Sequence, residues 1–248
     1  MKTWGVIPAR WGATRLPGKS LTPLLGKPMI QWVAERARRA ESLDRLVVAT
    51  DDERIAAAVA DIGVESVMTR PDHPSGTDRV AEVVSGGDAE LVVNIQGDEP
   101  LLDPGLVDRL VDALRYGPDW DMATAATPIR SQREWNDPGA VKVVWNRQRA
   151  ALYFSRSPIP FSREQPSAEE GDTRWRHIGV YAYRRQFLEK FVQTGPSWLE
   201  RVEKLEQLRA LHLGGRVAVL QTEDRGCGVD TPRDVEKAEK LLRREGKG

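Results

Sequence analysis

The stretch VIPARWGATRLPGK, residues 6–19, leads from a short apolar strand toward a helix. The strand is the run of residues 4–7, and Pro28 stands where the first turn of the helix should begin, before apolar residues at helical spacing. The stretch holds two glycines, two prolines, no acid and three cations, which are Arg10, Arg15 and Lys19. Backbone N–H groups and cations beyond a strand can converge on a phosphate chain. The stretch therefore predicts a phosphate site, with solvated cations on a surface loop as the alternative. It matches neither G-x-x-x-x-G-K-[ST] nor G-x-G-x-x-G.

Composition limits the classes of protein to which the chain can belong. Its 248 residues suffice for one large domain. Basic and acidic residues number 37 each, so no bulk charge recruits nucleic acid or an anionic membrane. The single cysteine, Cys227, excludes an internal disulfide and a cysteine-based zinc site. No apolar run approaches the roughly 18 residues of a membrane span, and no signal-peptide pattern is present. We expect a cytoplasmic protein with neither nucleic acid nor membrane as a partner.

Strands and helices alternate as far as about residue 116. Apolar runs at residues 46–49, 64–68 and 91–95 predict strands. Between them Thr50 and Glu53 form a candidate capping box, and Ser75 is a candidate helix cap. Such strands predict a parallel sheet with helices on both faces, whose ligands bind beyond the carboxyl ends of the strands.

The pattern changes at about residue 121. Runs at residues 122–129, 141–145, 150–154 and 177–183 predict an antiparallel excursion over residues 121–194, with a long loop at 158–173. The chain then returns to α/β alternation, with a helix near 199–213, strands at 217–220 and 228–229, and a last helix opened by Thr231 and Pro232. We therefore predict a single domain whose α/β core comprises residues 1–120 and 195–248.

Two acidic loops follow apolar runs and should face the loop within residues 6–19, called the first loop below. Asp98 lies in the string QGDEP, residues 96–100, and Asp230 lies in GVDTP, residues 228–232. A polyphosphate needs a cation, and Mg²⁺ prefers carboxylate and phosphate oxygens. The structural alternatives are a simple turn at Asp98 and a charge–dipole role for Asp230, although Thr231 is the better helix cap.

Residues 8–19 resemble the signature P-A-R-x-x-[ST]-[ST]-R-L-P-x-K of cytidylyltransferases that activate acidic eight- and nine-carbon sugars. The QGDEP string, and RPDHPSGTDR at residues 70–79, which is similar to H-x-S-G-[TS]-[DE]-R, narrow the resemblance to the 3-deoxy-manno-octulosonate (Kdo) cytidylyltransferases. The resemblance covers nearly the whole chain. It implies a Rossmann-like, mostly parallel sheet flanked by helices, of the nucleotide-diphospho-sugar transferase type, with an antiparallel β excursion used for dimerisation.

The resemblance also implies the reaction and the residues that perform it. CMP would be transferred from CTP to the anomeric hydroxyl of Kdo, with release of pyrophosphate, by a homodimer that serves lipopolysaccharide synthesis. The catalytic residues would be Arg10, Lys19, Asp98 and Asp230, with Mg²⁺ held by both aspartates. The nucleotide would be bound by Pro8, Ala9, Arg10, Arg15, Lys19, Arg70, Ser75, Gly76 and Gln96. The sugar would be bound by Arg79, Gln96, Arg156, His177, Tyr181 and Glu206.

Several of these assignments have structural alternatives. The fork of Arg156 suits a carboxylate, but a solvated arginine at the rim fits the sequence equally well. His177 and Tyr181 share one face of a strand and could be a packed, hydrogen-bonded pair. His73 is interpreted as a surface residue. Trp198 stands in SWLE where the family usually has S-P-L-E, and its bulk could alter the helix entry.

Other functions also fit the sequence. The chain could activate 8-amino-Kdo or sialic acid instead of Kdo, or it could be a regulator that binds CTP without turnover. A uridylyltransferase acting on a sugar 1-phosphate is disfavoured, because the G-x-G-T-R type of opening is absent. A regulator would not require two acids and a lysine together.

Overall fold

Strands and helices alternate through most of the computed structural model, which describes residues 1–12, 18–117, 119–163, 174–224 and 226–245. The strands are β1 (Thr3–Ala9), β2 (Pro23–Leu24), β3 (Lys27–Pro28), β4 (Arg45–Thr50), β5 (Glu65–Met68), β6 (Leu91–Asn94), β7 (Met122–Pro128), β8 (Lys142–Trp145), β9 (Ala151–Ser155), β10 (Trp175–Arg184) and β11 (Val217–Gln221). The helices are α1 (Met29–Ala37), α2 (Glu53–Ala60), α3 (Gly76–Ser85), α4 (Pro104–Tyr116), α5 (Gln132–Asn136), α6 (Arg185–Gln193), α7 (Trp198–Glu203), α8 (Leu208–His212) and α9 (Pro232–Glu245), with a 3-10 turn at Lys19–Leu21. Within these residues no helix is both long and apolar enough to cross a membrane.

The chain divides into two units, residues 1–111 with 226–248, and residues 112–225. The first unit is built on parallel strands in the order β6-β1-β4-β5. Val6, Val48 and Val93 in these strands are fully buried, as the apolar runs predicted. The chain adds β4 and β5 on one side of β1 and then places β6 on the other side. The order therefore reverses between β1 and β6, which is where sheets of this type bind ligands.

Helix starts in the first unit follow the sequence with one exception. Ser75 caps α3, since its Oγ accepts the Asp78 N–H at 3.2 Å. The predicted capping box at Thr50 is wrong: Asp52 caps α2 by accepting the Arg54 N–H at 3.0 Å. Thr50 is still paired with β5 in the parallel ladder, and this pairing holds it in the strand.

The second unit confirms the antiparallel excursion and extends it. Strand β7 pairs antiparallel with β10 and parallel with β11, while β8 pairs antiparallel with β9 and β10. The pairing of β11 with β7 runs over five residue pairs. Residues 195–225, which the sequence assigned to the α/β core, therefore lie with the antiparallel strands.

The helix predicted near residues 199–213 is interrupted. Lys204 adopts a left-handed backbone with φ 53°, so α7 ends there and α8 begins separately. Ser197 and Glu200 form a capping box at the start of α7. Trp198 is 60% exposed, so its bulk points away from the packing and leaves this helix entry intact.

The last helix, α9, begins after Thr231 as predicted. The Asp234 N–H bonds to the Thr231 carbonyl at 2.9 Å, and the Asp234 carboxylate accepts the Thr231 N–H at the same distance. The predicted strand at 228–229 is absent from the described residues. Instead the Val229 N–H donates to the Asp98 carbonyl at 2.9 Å, which joins the two acidic loops.

Candidate active site

A cavity of about 340 Å³ opens at the carboxyl ends of β1 and β6 in the first unit. Its described lining comes from the end of β1, the 3-10 turn, the loop after β6, the start of α3 with the residues before it, and the segment before α9. These residues are Pro8, Ala9, Arg10, Lys19, Ser20, His73, Pro74, Ser75, Gly76, Arg79, Gln96, Gly97, Asp98 and Asp230. Ten of them were predicted as site residues from the sequence. The cavity lies at the position that the reversal of strand order predicts.

Three charged side chains meet at this cavity. The Lys19 ammonium lies 2.5 Å from Asp98 Oδ2 and 2.6 Å from Asp230 Oδ1. Burial alone would lower the pKa of Lys19, but the two carboxylates outweigh it and raise the pKa above its ordinary value. The lysine is therefore a fixed cation that holds two acids from distant parts of the chain.

Glycines allow these loops to approach each other closely. Gly18 precedes Lys19 with φ 66°, and a Cβ there would stand 2.9 Å from the Trp11 ring. A Cβ on Gly97 would stand 3.0 Å from the Pro8 carbonyl oxygen. A side chain at either position would push Lys19 or Asp98 away from the end of β1.

The amino end of α3 forms another wall of the cavity. Ser75 and Gly76 begin the helix, whose amino-terminal N–H groups and dipole favour an anion. The interpretation of His73 as a surface residue is wrong, because its side chain is only 4% exposed and bonds to the Glu82 carboxylate. This pairing was not visible in the sequence.

Arg79 lines the cavity but also has a structural task. Its guanidinium donates to Thr69 Oγ1 and, at 2.9 Å, to Asp51 Oδ2. The other oxygen of Asp51 accepts the Trp11 N–H at 3.2 Å. Arg79 and Asp51 thus tie α3 to the end of β4 and to the first loop.

Of the predicted nucleotide residues, Arg70 lies elsewhere. The Arg70 side chain is 67% exposed and lies 3.9 Å from Asp72 and 4.0 Å from Glu82, and the described lining of the cavity does not include it. Arg15 lies outside the described residues. Ser20, His73, Pro74 and Gly97 are lining residues that the prediction omitted. His73, Pro74 and Gly97 lie inside the quoted strings at residues 70–79 and 96–100, and Ser20 directly follows the string that ends at Lys19, so including every residue of each string and its flank would have found them.

In the second unit, Arg156 is engaged with backbone carbonyls. Its Nε donates to Glu203 at 2.8 Å, and its terminal nitrogens donate to Pro138 at 3.0 Å and Lys204 at 3.2 Å. This fixes the end of β9 to the turn between α7 and α8. A role of Arg156 toward a sugar stays a prediction.

His177, Tyr181 and Glu206 also belong to the second unit. The His177 and Tyr181 rings are 5.4 Å apart, which confirms that they share a strand face. Burial, with the nearby Arg176 charge, lowers the pKa of His177 to about 3, and burial with the Glu206 charge raises that of Tyr181. His177 Nε2 lies 2.9 Å from Thr124 Oγ1. Both rings are therefore uncharged at neutral pH.

The donors at Asp98 and Asp230 fit a magnesium ion. Both carboxylates already converge on one cation, the Lys19 ammonium, and carboxylate oxygens are the ligands that Mg²⁺ prefers. Neither at this site nor in the rest of the described chain do three or more His, Cys, Asp or Glu side chains form a group that could hold a metal. Mg²⁺ commonly uses one or two protein carboxylates and takes its other ligands from phosphates and water.

A parallel sheet with cations, paired acids and a helix start at its switch point is the arrangement of a nucleotide-binding transferase. Residues 4–218 match the model of the cytidylyltransferase family. The 3-deoxy-manno-octulosonate cytidylyltransferase of Bdellovibrio bacteriovorus is 48% identical, covering 99% of this chain and 100% of the relative. That of Syntrophobacter fumaroxidans is 49% identical, covering 100% of both chains. The chain belongs to the cytidylyltransferase family and, within it, to the 3-deoxy-manno-octulosonate cytidylyltransferases.

Solved structures agree with this assignment. A CMP:2-keto-3-deoxy-manno-octonic acid synthetase complexed with CTP is 43% identical, with a TM-score of 0.92 over 99% of this chain and 100% of that one. A 4-diphosphocytidyl-2C-methyl-D-erythritol synthase from Anaerococcus prevotii is 14% identical, with a TM-score of 0.67 over 98% of this chain and 96% of that one. The second likeness concerns the fold alone.

Proposed function

We propose that this chain transfers CMP from CTP to the anomeric hydroxyl of Kdo. The hydroxyl oxygen bonds to the α-phosphorus of CTP, and the bond from that phosphorus to the α–β bridging oxygen breaks. Pyrophosphate leaves with the electron pair, and the hydroxyl proton is released. The product, CMP-Kdo, would serve lipopolysaccharide synthesis.

The observation that carries this proposal is the contact of Lys19 with both Asp98 and Asp230 at the mouth of one cavity. Charge neutralisation and alignment, rather than a covalent nucleophile, are what nucleotidyl transfer requires of a protein. Fixed cations and two carboxylates beside a helix start provide both.

Each lining group has a task in this scheme. Arg10, Lys19 and the N–H groups at the start of α3 would bind the triphosphate and neutralise charge on the departing pyrophosphate. Asp98 and Asp230 would hold Mg²⁺, which when bound supplies Lewis-acid polarisation of the phosphate. Gln96 lines the same cavity, and its amide would donate to a substrate bound there.

Sugar recognition in the proposal rests on the family resemblance. His177 and Tyr181, both uncharged, would hydrogen-bond sugar hydroxyls, with Glu206 as an acceptor. Arg79 and Arg156 would attract the sugar carboxylate, in addition to the protein contacts that each already makes.

We also infer a homodimer formed through the second unit, in the cytoplasm, where CTP is available. Exposed apolar side chains on that unit support a protein contact, because such groups prefer to be buried. They include Leu152, Phe161, Trp198 and Val202.

A turnover panel tests the function. Purified protein is given CTP, Mg²⁺ and either Kdo, 8-amino-Kdo or sialic acid, and pyrophosphate release is measured alongside the mass of the product. We expect CMP-Kdo as the main product, with ATP and GTP failing to replace CTP. Preferred turnover of another acid sugar would replace Kdo in the proposal. CTP binding without pyrophosphate release from any sugar would favour a regulator instead.

A further inference from the structure

Glu99 is the second acid of the QGDEP string, and the proposed chemistry gives it no task. The described lining of the cavity includes its neighbour Asp98 but not Glu99. The Glu99 carboxylate turns toward the segment that precedes Asp230. Its Oε2 accepts the Cys227 N–H at 2.7 Å, across 128 residues of sequence. Hydrogen bonds to an ionised acceptor are about twice as strong as neutral ones.

The segment of residues 226–229 is shaped to wrap around this carboxylate. A Cβ added to Gly228 would stand 3.2 Å from Glu99 Oε1, and one added to Gly226 would stand 3.4 Å from Oε2. Gly226 also has φ 58°, a conformation that side chains disfavour. Glycine at 228 thus leaves room for the close approach of backbone to carboxylate, and glycine at 226 permits the left-handed backbone before it.

Residues 226–229 are also held by packing against the hydrophobic core. Cys227 and Val229 are 3% and 0% exposed, in a core cluster with Leu24, Met29 and residues of α9. The Val229 N–H also donates to the Asp98 carbonyl at 2.9 Å. The next residue, Asp230, then emerges beside Lys19 and Asp98.

We propose that Glu99 is a positioning residue that binds the backbone of residues 226–229 and so holds the Asp230 carboxylate beside that of Asp98, where the pair binds a divalent cation. The inference rests on the proposed function. The two acids of the QGDEP string then have different roles: Asp98 contacts the cation, and Glu99 positions the carboxylate of Asp230.

Cation binding gives the first test, with Mn²⁺ as the probe in the presence of CTP and free Mn²⁺ measured by electron paramagnetic resonance. Glu99→Ala should weaken Mn²⁺ binding by about tenfold or more, as loss of a supporting group around a metal does. Glu99→Gln should recover most of that affinity, because its amide oxygen still accepts an N–H. Gly228→Ala should weaken binding without removing the carboxylate, and it replaces Glu99→Ala if that variant does not fold.

Asp44→Ala is the matched control. Asp44 Oδ2 accepts the Thr3 N–H at 2.7 Å, so it also joins a carboxylate to a backbone N–H, but at the amino end of β1. It should lower the melting temperature and leave Mn²⁺ binding and kcat unchanged. If Glu99→Gln binds Mn²⁺ as weakly as Glu99→Ala, the charge of Glu99 reaches the metal and the positioning role is wrong.

A double variant gives the second test. If Glu99 acts through Asp230, kcat of Glu99→Ala with Asp230→Asn should match that of Asp230→Asn alone within about twofold, because residues acting as a unit are not additive. A double variant whose loss of kcat is the product of the two single losses would overturn the inference. Failure of the wild-type protein to form CMP-Kdo would overturn the proposed function instead, and the Mn²⁺ comparison would still decide the task of Glu99.

Discussion

Lys19 joins the two acids of the site, and it does so where the proposed cation would lie. Its side chain is 14% exposed, and its ammonium lies within 2.6 Å of an oxygen of each aspartate. The lysine is therefore a counterion of the carboxylate pair. A metal and CTP would draw the ammonium away toward the phosphates.

Replacement of Lys19 should have opposite effects on cation binding and on turnover. Without nucleotide, Lys19→Met should bind Mn²⁺ about tenfold more tightly, a change of about 1.4 kcal/mol, because the carboxylates lose their internal counterion. Turnover should fall by about 10² or more, because a cation aimed at the leaving group is lost. Lys27→Met is the control, since Lys27 forms a comparable ion pair with Glu35 at 2.6 Å. Unchanged Mn²⁺ affinity would show that Lys19 does not compete with the metal.

His177 should stay neutral across the working pH range. Burial lowers its pKa to about 3, against about 6.5 in the unfolded chain. Between these values the unfolded state binds a proton that the native state does not, so stability falls as pH drops below about 6.5. By pH 5 the loss should approach about 2 kcal/mol.

Two measurements check the state of His177. Its ring proton shifts should not change between pH 8 and pH 5, with the signal assigned by its loss in His177→Gln. The urea midpoint of the wild type should fall more than that of His177→Gln over the same range. A ring that titrates near pH 6.5 would contradict the burial argument.

The strings around the site could be predicted from the sequence, but the contacts between them could not. Each acid follows an apolar run, so its place at the strand ends follows from parallel topology. That one lysine would reach both acids depends on loop paths set by Gly18 and Gly97. The pairing of His73 with Glu82 depends on how the loop before α3 lies against that helix, and no local sequence pattern encodes it.

At the scale of elements, a buried ion pair holds the junction of α7 and α8. Arg209 donates to both oxygens of Glu200, at 2.6 and 2.9 Å, and also to the carbonyls of Phe191 and Thr194. Both side chains are at most 11% exposed. The ion pair joins α8 to α7 across the left-handed turn at Lys204.

Removal of Arg209 should destabilise the second unit strongly. Arg209→Leu leaves the Glu200 charge buried and unpaired, which costs about 3–5 kcal/mol in the free energy of unfolding. Adding Glu200→Gln should recover part of the loss, because the charge is gone and the cap oxygen remains. Arg201→Leu, which removes an exposed arginine of α7, is the control. Urea unfolding followed by circular dichroism measures each variant, and additive losses would contradict the argument.

Elements whose residues bury one apolar face were predictable, while their ends were less so. Thr50 and Asp52 are both good caps, and parallel pairing of Thr50 with β5 decided between them. The break at Lys204 left no signal, since left-handed backbone is usually a property of glycine or asparagine.

For the whole molecule, the fold class could be predicted from the sequence, but the bounds of the second unit could not. The apolar run at 217–220 looks like any buried parallel strand. Its partner could have been any strand of the core, and only the register with β7 assigns it to the second unit.

The proposed homodimer predicts the mass of the protein in solution. The chain has a mass of 27.7 kDa, so light scattering after size exclusion should give about twice that value. Leu152→Asp and Val202→Asp should each shift the mass toward that of one chain, because a charge replaces an exposed apolar contact. Met68→Asp, at an exposed apolar position of the first unit, should not. A wild type with the mass of a single chain would overturn the proposal.

The bond between Lys19 and Asp230 spans 211 positions of sequence, and this separation orders events during synthesis. A ribosome releases the lysine and Asp98 long before it has translated Asp230. Until then the nascent chain can form its parallel sheet, but its lysine has one acid in place of two. The pair of carboxylates is thus complete only after Asp230 has been translated, so a product that stops before it has the lysine and Asp98 but lacks the second acid.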